Sequence, residues 1–237
     1  MALSRRNRTA ATALIFMVTA TAVAANQDSK TKLSWEESFT PSDYLNIIIL
    51  TLGRTHAALT NVNKKATDPS MVERMVSVKN ASIEMKVAGG LLKEYASAKG
   101  ELVRSSATAV IESYDFMSKS LDLMAMNYEK LDAATSMSDL PEIRKLTADA
   151  KVMYQQSSSI LLDAINLAFA STIVPDPKDP ENRVAINMTS TEKAELLKKL
   201  DSRFGPALSK EATDDTGPLN AAKLLKAQLE KGWKHAK

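Results

Sequence analysis

The chain has 237 residues, 44% of them hydrophobic and 25% charged, and a formal net charge of +3. Its hydrophobic content is too high for an intrinsically disordered chain, and seven glycines and eight prolines are too few for a fibrous one. Because it contains no cysteine, it has no disulfide framework, thiol nucleophile, iron–sulfur cluster or thiolate zinc site.

The first 24 residues have the pattern of a secretory signal peptide. A segment with three arginines and no acidic residue precedes an apolar stretch over residues 9–25, and residues 22–24 (Ala-Val-Ala) fit the small-residue cleavage rule. The apolar stretch is shorter than the ~20 residues that a membrane-spanning helix needs. We therefore predict cleavage near Ala24 and a periplasmic or secreted protein with no membrane span after cleavage. The alternative is an uncleaved anchor.

The basic excess of the chain lies in this predicted signal peptide. Removal of residues 1–24 takes away three arginines and no acidic residue, which leaves 28 residues of each sign. A neutral mature chain lacks the basic footprint of a nucleic-acid-binding protein. Aromatic residues make up only 5% of the chain and do not alternate with basic ones, as single-strand binding would require. We predict no nucleic-acid partner.

After a polar, extended lead-in over residues 25–39, the sequence predicts two helices joined by a short turn. The first begins at Thr40, a capping residue followed by Pro41 at the first helical position, and ends near Ala66. The second opens after Asp68 and stops near Gly100. Apolar residues spaced by three and four predict their buried stripes, namely Leu45, Ile48, Ile49, Leu52, Leu59 and Val62, then Val72, Val76, Ile83, Val87, Leu91 and Tyr95.

The third predicted helix carries the longest unbroken pattern. Its apolar residues alternate steps of four and three, as a heptad seam does, at Val103, Ala107, Val110, Tyr114, Met117, Leu121, Met124, Tyr128 and Leu131. The fourth helix follows a cap at Asp139 and has a seam at Ile143, Leu146, Ala150, Met153, Ser157, Ile160, Ala164 and Leu167. No strand pattern competes with the helices. Four such helices with short connections predict an all-α fold with an up-down antiparallel four-helix bundle over residues 40–173.

A smaller unit is predicted to follow the bundle. Residues 174–182 contain three prolines and four charged residues, which is typical of an extended linker. Residues 183–237 then read as a C-terminal helical hairpin. Its first helix starts at a capping box formed by Thr189 and Glu192, and its second reaches Trp233. A hairpin of this size buries little by itself, so we expect it to dock on the bundle or on a partner.

The motifs of common catalytic sites do not occur in the sequence. Neither His56 nor His235 has a glutamate three residues before it, as a di-iron bundle requires. There is no His-Glu-x-x-His motif, phosphate loop, nucleophile elbow or glycine-rich dinucleotide fingerprint. We therefore predict a non-enzymatic protein with no catalytic residue, metal site or cofactor.

The pattern favours an interaction protein or a structural accessory module of the periplasm. The partner is an unknown protein or a second copy of the chain, since long seams also pair between chains to form a homodimer. Such bundles serve many unrelated functions. A small hydrolase or lyase that uses carboxylates and tyrosine is the least favoured interpretation.

The alternative function is a ligand-binding bundle that holds non-covalent haem, a soft metal or a small apolar molecule in its core. For haem, His56 at the edge of the first stripe would be a cofactor-binding residue together with a core methionine. For a soft metal, Met117, Met124 and Met126 would supply sulfur. The simpler interpretation is a hydrogen-bonded His56 and methionines that fill gaps in the core.

Overall fold

The computed structural model describes residues 40–134, 136–176, 178–208 and 216–231. The predicted signal peptide and lead-in, and the C-terminal Trp233 and His235, lie outside the described residues. The described chain is mostly helical, as predicted. Its α-helices are α1 (Pro41–Lys65), α2 (Met71–Gly90), α3 (Glu101–Ala133), α4 (Leu140–Ala170), α5 (Ser190–Phe204) and α6 (Gly217–Lys231).

Two helices begin at complete capping boxes. The Thr40 hydroxyl accepts a hydrogen bond from the Asp43 N–H (3.2 Å), and the Asp43 carboxylate accepts one from the Thr40 N–H (3.0 Å). Thr189 and Glu192 repeat the arrangement at the start of α5 (3.1 and 2.6 Å). These bonds satisfy main-chain donors that the first turn of a helix leaves free, so both helix starts are fixed by local sequence.

A small sheet stands where the sequence predicts an extended linker. Strands β1 (Ile173–Asp176) and β2 (Asp179–Ile186) pair antiparallel, with Val174 opposite Ala185 and Pro175 opposite Val184. The prediction of a chain without strands is wrong here. A two-stranded sheet has only edge strands, and an edge strand tolerates proline because one side of it needs no partner.

The long helices pack in chain order as antiparallel neighbours. Ion pairs mark each contact, from Arg54 of α1 to Glu84 of α2, from Lys86 of α2 to Asp122 of α3, and from Lys130 of α3 to Glu142 of α4. Helix α6 packs against both α4 and α1, and α5 packs against α1. Helices α1 and α4 make few contacts with each other, whereas α6 contacts both of them.

Helix α6 approaches α4 very closely at its first residue. A Cβ atom on Gly217 would lie 2.7 Å from the Ser158 hydroxyl, so any larger residue there would force Ser158 to move. The Gly217 N–H donates to the Tyr154 hydroxyl at 3.1 Å. Leu225 and Leu229 of α6 are fully buried and belong to the same core as the four long helices.

The predicted buried stripes hold for α1 and for most of α3. In α1 all six predicted stripe residues are buried. In α3 the seam is buried from Ala107 to Leu121, but Leu131 near the end of the helix is exposed. The heptad pattern therefore identifies the face of α3 that packs against its neighbours.

The predicted stripe of the second helix is wrong from Val72 to Val87, and α2 ends at Gly90, not near Gly100; Tyr95, the last predicted stripe residue, is buried. Four residues of this stripe are exposed, and the buried face of the helix consists mainly of small or polar residues, at Ser77, Val78, Ala81, Ser82, Met85, Ala88 and Gly89. Small residues let α2 lie close to α1 and α3, so the helix packs through them and turns its larger β-branched residues outward.

Candidate functional site

The outer face of α2 carries four exposed apolar side chains in two pairs, which are separated by the two turns that include Lys79 and Asn80. Val72, Val76, Ile83 and Val87, here called the α2 stripe, are 56%, 45%, 56% and 41% exposed. Their spacing of four, seven and four residues places them on one helix face over about 22 Å, at ~1.5 Å per residue. Single exposed apolar residues are ordinary, but four on one helix face are typical of an interaction site.

Ion pairs border the α2 stripe on both sides. Two join α2 to α1 and two join it to α3, with N–O distances from 2.6 to 3.3 Å, at Lys65–Glu73, Arg54–Glu84, Lys79–Glu129 and Lys86–Asp122. Exposed pairs of this kind contribute little to stability. In these pairs each border has as many positive as negative groups. The apolar strip therefore lies between two polar margins without net charge. An apolar centre with a polar rim is typical of a protein interface.

His56 lies on the other side of α1, where α5 and α6 pack. Its Nδ1 atom is 3.0 Å from the Thr216 hydroxyl, and its ring centroid is 5.3 Å from that of Phe204. The side chain is half-buried, and this burial lowers the pKa of His56 below its ordinary value of 6.5. The imidazole therefore links α1 to the start of α6 in its neutral form. Its role as a haem ligand stays a prediction.

The methionines of α3 do not converge on one point. Met117 is fully buried, Met124 is partly buried and Met126 is 46% exposed. Met117 lies on the buried face of α3 and Met126 on its exposed face. Helix α3 alone therefore does not bring their sulfur atoms together. Across the described ranges, no group of three or more histidine, aspartate or glutamate side chains is placed to hold a metal ion.

A buried polar seam between α3 and α4 was not predicted from the sequence. Three serines of α3, seven residues apart, each donate a hydrogen bond to a main-chain carbonyl of α4. We call these bonds the serine ladder, and they are Ser106 to Ala164 (2.8 Å), Ser113 to Ser157 (2.9 Å) and Ser120 to Ala150 (2.7 Å). The carbonyls are also seven residues apart, in descending order, so the ladder fixes the antiparallel register. A serine at every seventh position, matched by small residues at every seventh position of α4, is the signal that would have identified it.

None of the helices described combines the length and the apolar character needed to cross a membrane. Comparisons with models of protein families, with curated proteins and with solved structures gave no match.

Proposed function

We propose that this protein is an exported, non-enzymatic interaction protein that associates with a second copy of itself through the α2 stripe. The observation that carries the proposal is the row of large apolar side chains that α2 exposes, while α1 buries the corresponding row. In this proposal α1 to α4 form the bundle expected from the sequence, with α6 inserted between its first and last helices. The bundle serves as a scaffold that presents the stripe.

The spacing of the α2 stripe supports a second copy as the partner. The order of four, seven and four residues reads the same in both directions. In an antiparallel pairing of two α2 helices, Val72 would face the partner's Val87, and Val76 would face the partner's Ile83. A two-fold interface needs such a self-complementary surface. All four side chains are β-branched and stiff, so they lose little freedom when they pack.

The charges along the margins also allow this pairing. Lys79, near the midpoint of the stripe, is already paired with Glu129 at 2.6 Å. The approach of a second copy therefore meets no unpaired charge at the centre of the surface. One helix face is small beside the roughly 800 Å² per partner of a standard interface. We therefore expect a reversible dimer whose population rises with protein concentration.

Sedimentation equilibrium over a range of protein concentrations tests the self-association. The wild-type protein should pass from monomer to dimer, and Val76→Glu should remain monomeric because it places a carboxylate in the stripe. Val152→Glu is the matched control, since Val152 is also an exposed valine (61%, against 45% for Val76) and lies on α4. It should dimerise like the wild type. A wild-type monomer at all concentrations, or equal loss of dimer in the two variants, would contradict the proposal.

Export is tested separately by the mass of the expressed protein. When the full chain is produced in a bacterium, the periplasmic fraction should contain a protein that begins at residue 25. Deletion of residues 9–21 should keep the uncut chain in the cytoplasm. An uncut chain in the membrane fraction would instead indicate the anchor.

A further inference from the structure

An open cleft of about 500 Å³ lies between α1 and α5. It is lined by three residues of each helix, namely Gly53, Arg54, Ala57, Lys199, Ser202 and Arg203. Three of these residues are cations, and no acidic residue of the described chain lines the cleft. Its volume lies within the range of small-molecule sites, ~300–1,000 Å³. A cleft lined by charge of one sign attracts ions of the opposite sign.

The Arg203 side chain lies across α1 at Gly53. A Cβ atom on Gly53 would be 2.9 Å from the Arg203 Cδ atom and 3.3 Å from its Cβ atom, so a larger residue at position 53 would force the arginine to move. Glycine in the interior of a helix is less favourable than alanine. The glycine therefore has a structural reason at this position, since it lets α5 hold the arginine against α1.

Most of the positive charge in the cleft is not neutralised. The Arg54 Nε and Nη2 atoms donate to the Glu84 carboxylate at 3.1 and 2.8 Å, and its Nη1 atom has no partner among the described residues. The Lys199 ammonium donates to the uncharged Asn46 amide oxygen at 2.8 Å. Arg203 makes no hydrogen bond or ion pair with any residue that the structure describes. Three cations and one paired carboxylate leave an excess of two positive charges.

The two cations of α5 also repel each other. Lys199 and Arg203 are four residues apart, and like charges at this spacing destabilise a helix. The nearby acidic residues of α5 do not offset the repulsion. Asp201 is paired with Lys226 of α6 at 2.7 Å, and Glu195 forms no ion pair within the described part of the chain. An anion bound in the cleft would offset it.

We propose that this cleft binds a phosphate group, free or carried by a small organic molecule. A phosphate monoester has close to two negative charges at neutral pH, which matches the positive excess. The guanidinium of Arg203 offers the paired donors that suit phosphate oxygens, and Arg54 Nη1, the Lys199 ammonium and the Ser202 hydroxyl add single donors. No residue of the cleft belongs to α2, so the proposal does not rest on self-association.

Inorganic phosphate and glycerol 3-phosphate test the proposal, with acetate as the singly charged comparison. The titrations use the full chain at about 0.15 M salt, where charges more than ~8 Å apart are largely screened. NMR should show saturable binding of both phosphates, with shifted amide signals in α1 and α5, and acetate should bind at least about tenfold more weakly. If neither phosphate saturates the protein, or if the protein binds only vesicles that contain phosphatidylglycerol, the proposal is wrong.

Removal of one cation locates the bound anion. Arg203→Gln should weaken binding of both phosphates about tenfold, as the loss of a hydrogen bond between charged groups implies. Lys198→Gln is the matched control, since Lys198 is an exposed cation of the same helix outside the cleft. It should bind phosphate like the wild type. Equal weakening in the two variants would indicate a diffuse effect of surface charge and would overturn the proposal.

A second variant changes the position of Arg203 without changing any charge. Gly53→Ala should displace the arginine and weaken phosphate binding, while the preference of helices for alanine preserves the fold. Gly90→Ala is the control, because nothing lies within 4 Å of a Cβ atom added there. Wild-type affinity in Gly53→Ala, with an unchanged Tm, would show that the placement of Arg203 over Gly53 does not form the site.

Discussion

Helices α2 and α3 lie side by side, yet they use their apolar residues in opposite ways. Helix α3 buries the central part of its heptad seam, while α2 turns four β-branched residues to solvent and packs through small ones. Both helices have a regular apolar row in the sequence. Periodicity therefore identifies a continuous face, but it does not decide whether that face meets the core or a partner.

Polar contacts explain why α2 needs few large residues on its inner side. The Ser82 hydroxyl lies 2.9 Å from the Ser118 hydroxyl and donates to the Asp122 carboxylate at 2.6 Å. Buried hydroxyl groups that find partners cost little, and their small size lets helices approach closely. The α2–α3 contact thus resembles the serine ladder between α3 and α4 more than a conventional leucine seam.

The largest expected effect is the difference between truncating a buried side chain of α3 and truncating an exposed side chain of α2. Met117→Ala in α3 should lower the free energy of unfolding by about 2–5 kcal/mol, because it leaves a cavity in the core. Ile83→Ala in the α2 stripe should change it by less than about 0.5 kcal/mol. Urea denaturation at low protein concentration, where monomers prevail, measures both. Similar losses in the two variants would mean that the α2 stripe belongs to the core.

A smaller effect is expected from the serine ladder. Ser106 accepts a hydrogen bond from the Tyr44 hydroxyl at 2.7 Å and donates to the Ala164 carbonyl at 2.8 Å. Ser106→Ala should cost about 1–3 kcal/mol of unfolding free energy, because the buried Tyr44 hydroxyl loses its acceptor. Ser105→Ala, one residue away and exposed, is the control and should have no measurable cost. An equally harmless Ser106→Ala would show that the ladder contributes register but not stability.

The smallest expected effect concerns His56, a polar group that is only half-buried. Since burial lowers its pKa below 6.5, folding favours the neutral ring. Its contribution is present above pH 6.5 and is lost as the pH falls below that value, because the unfolded chain then binds more protons. The Tm of the wild-type protein should therefore fall more between pH 7.5 and 5 than that of His56→Gln. Parallel pH profiles would show that His56 does not contribute.

Local signals predicted the helices and two of their starts, whereas Ser70 and not Asp68 caps α2, and Asp139 makes no side-chain capping bond at the start of α4. Thr40 and Thr189 are caps whose partners lie three residues away, so the sequence contains the whole interaction. The packing face of α2 and the serine ladder could not be read from apolar periodicity, because both depend on small polar residues. The β1–β2 pair was missed because proline-rich strands lack the usual strand pattern.

The contacts of the candidate site residues could not be predicted from the sequence for a different reason. The sequence places His56 at the edge of the α1 stripe, but its hydrogen-bond partner Thr216 is 160 residues away. The serine ladder forms because Ser113 and Ser120 of α3 face Ser157 and Ala150 of α4 at a definite register. Such distant pairings follow from the antiparallel packing and not from any local motif.

The completed core depends on α6, the last of the described helices. Its leucines complete the core between α1 and α4, so the contacts that close the structure join segments far apart in the chain, and contacts of this kind form slowly. A chain that leaves the cell N-terminus first, as we propose for this one, delivers α6 last of the described helices. Until α6 arrives, its buried leucines are missing from the core between α1 and α4.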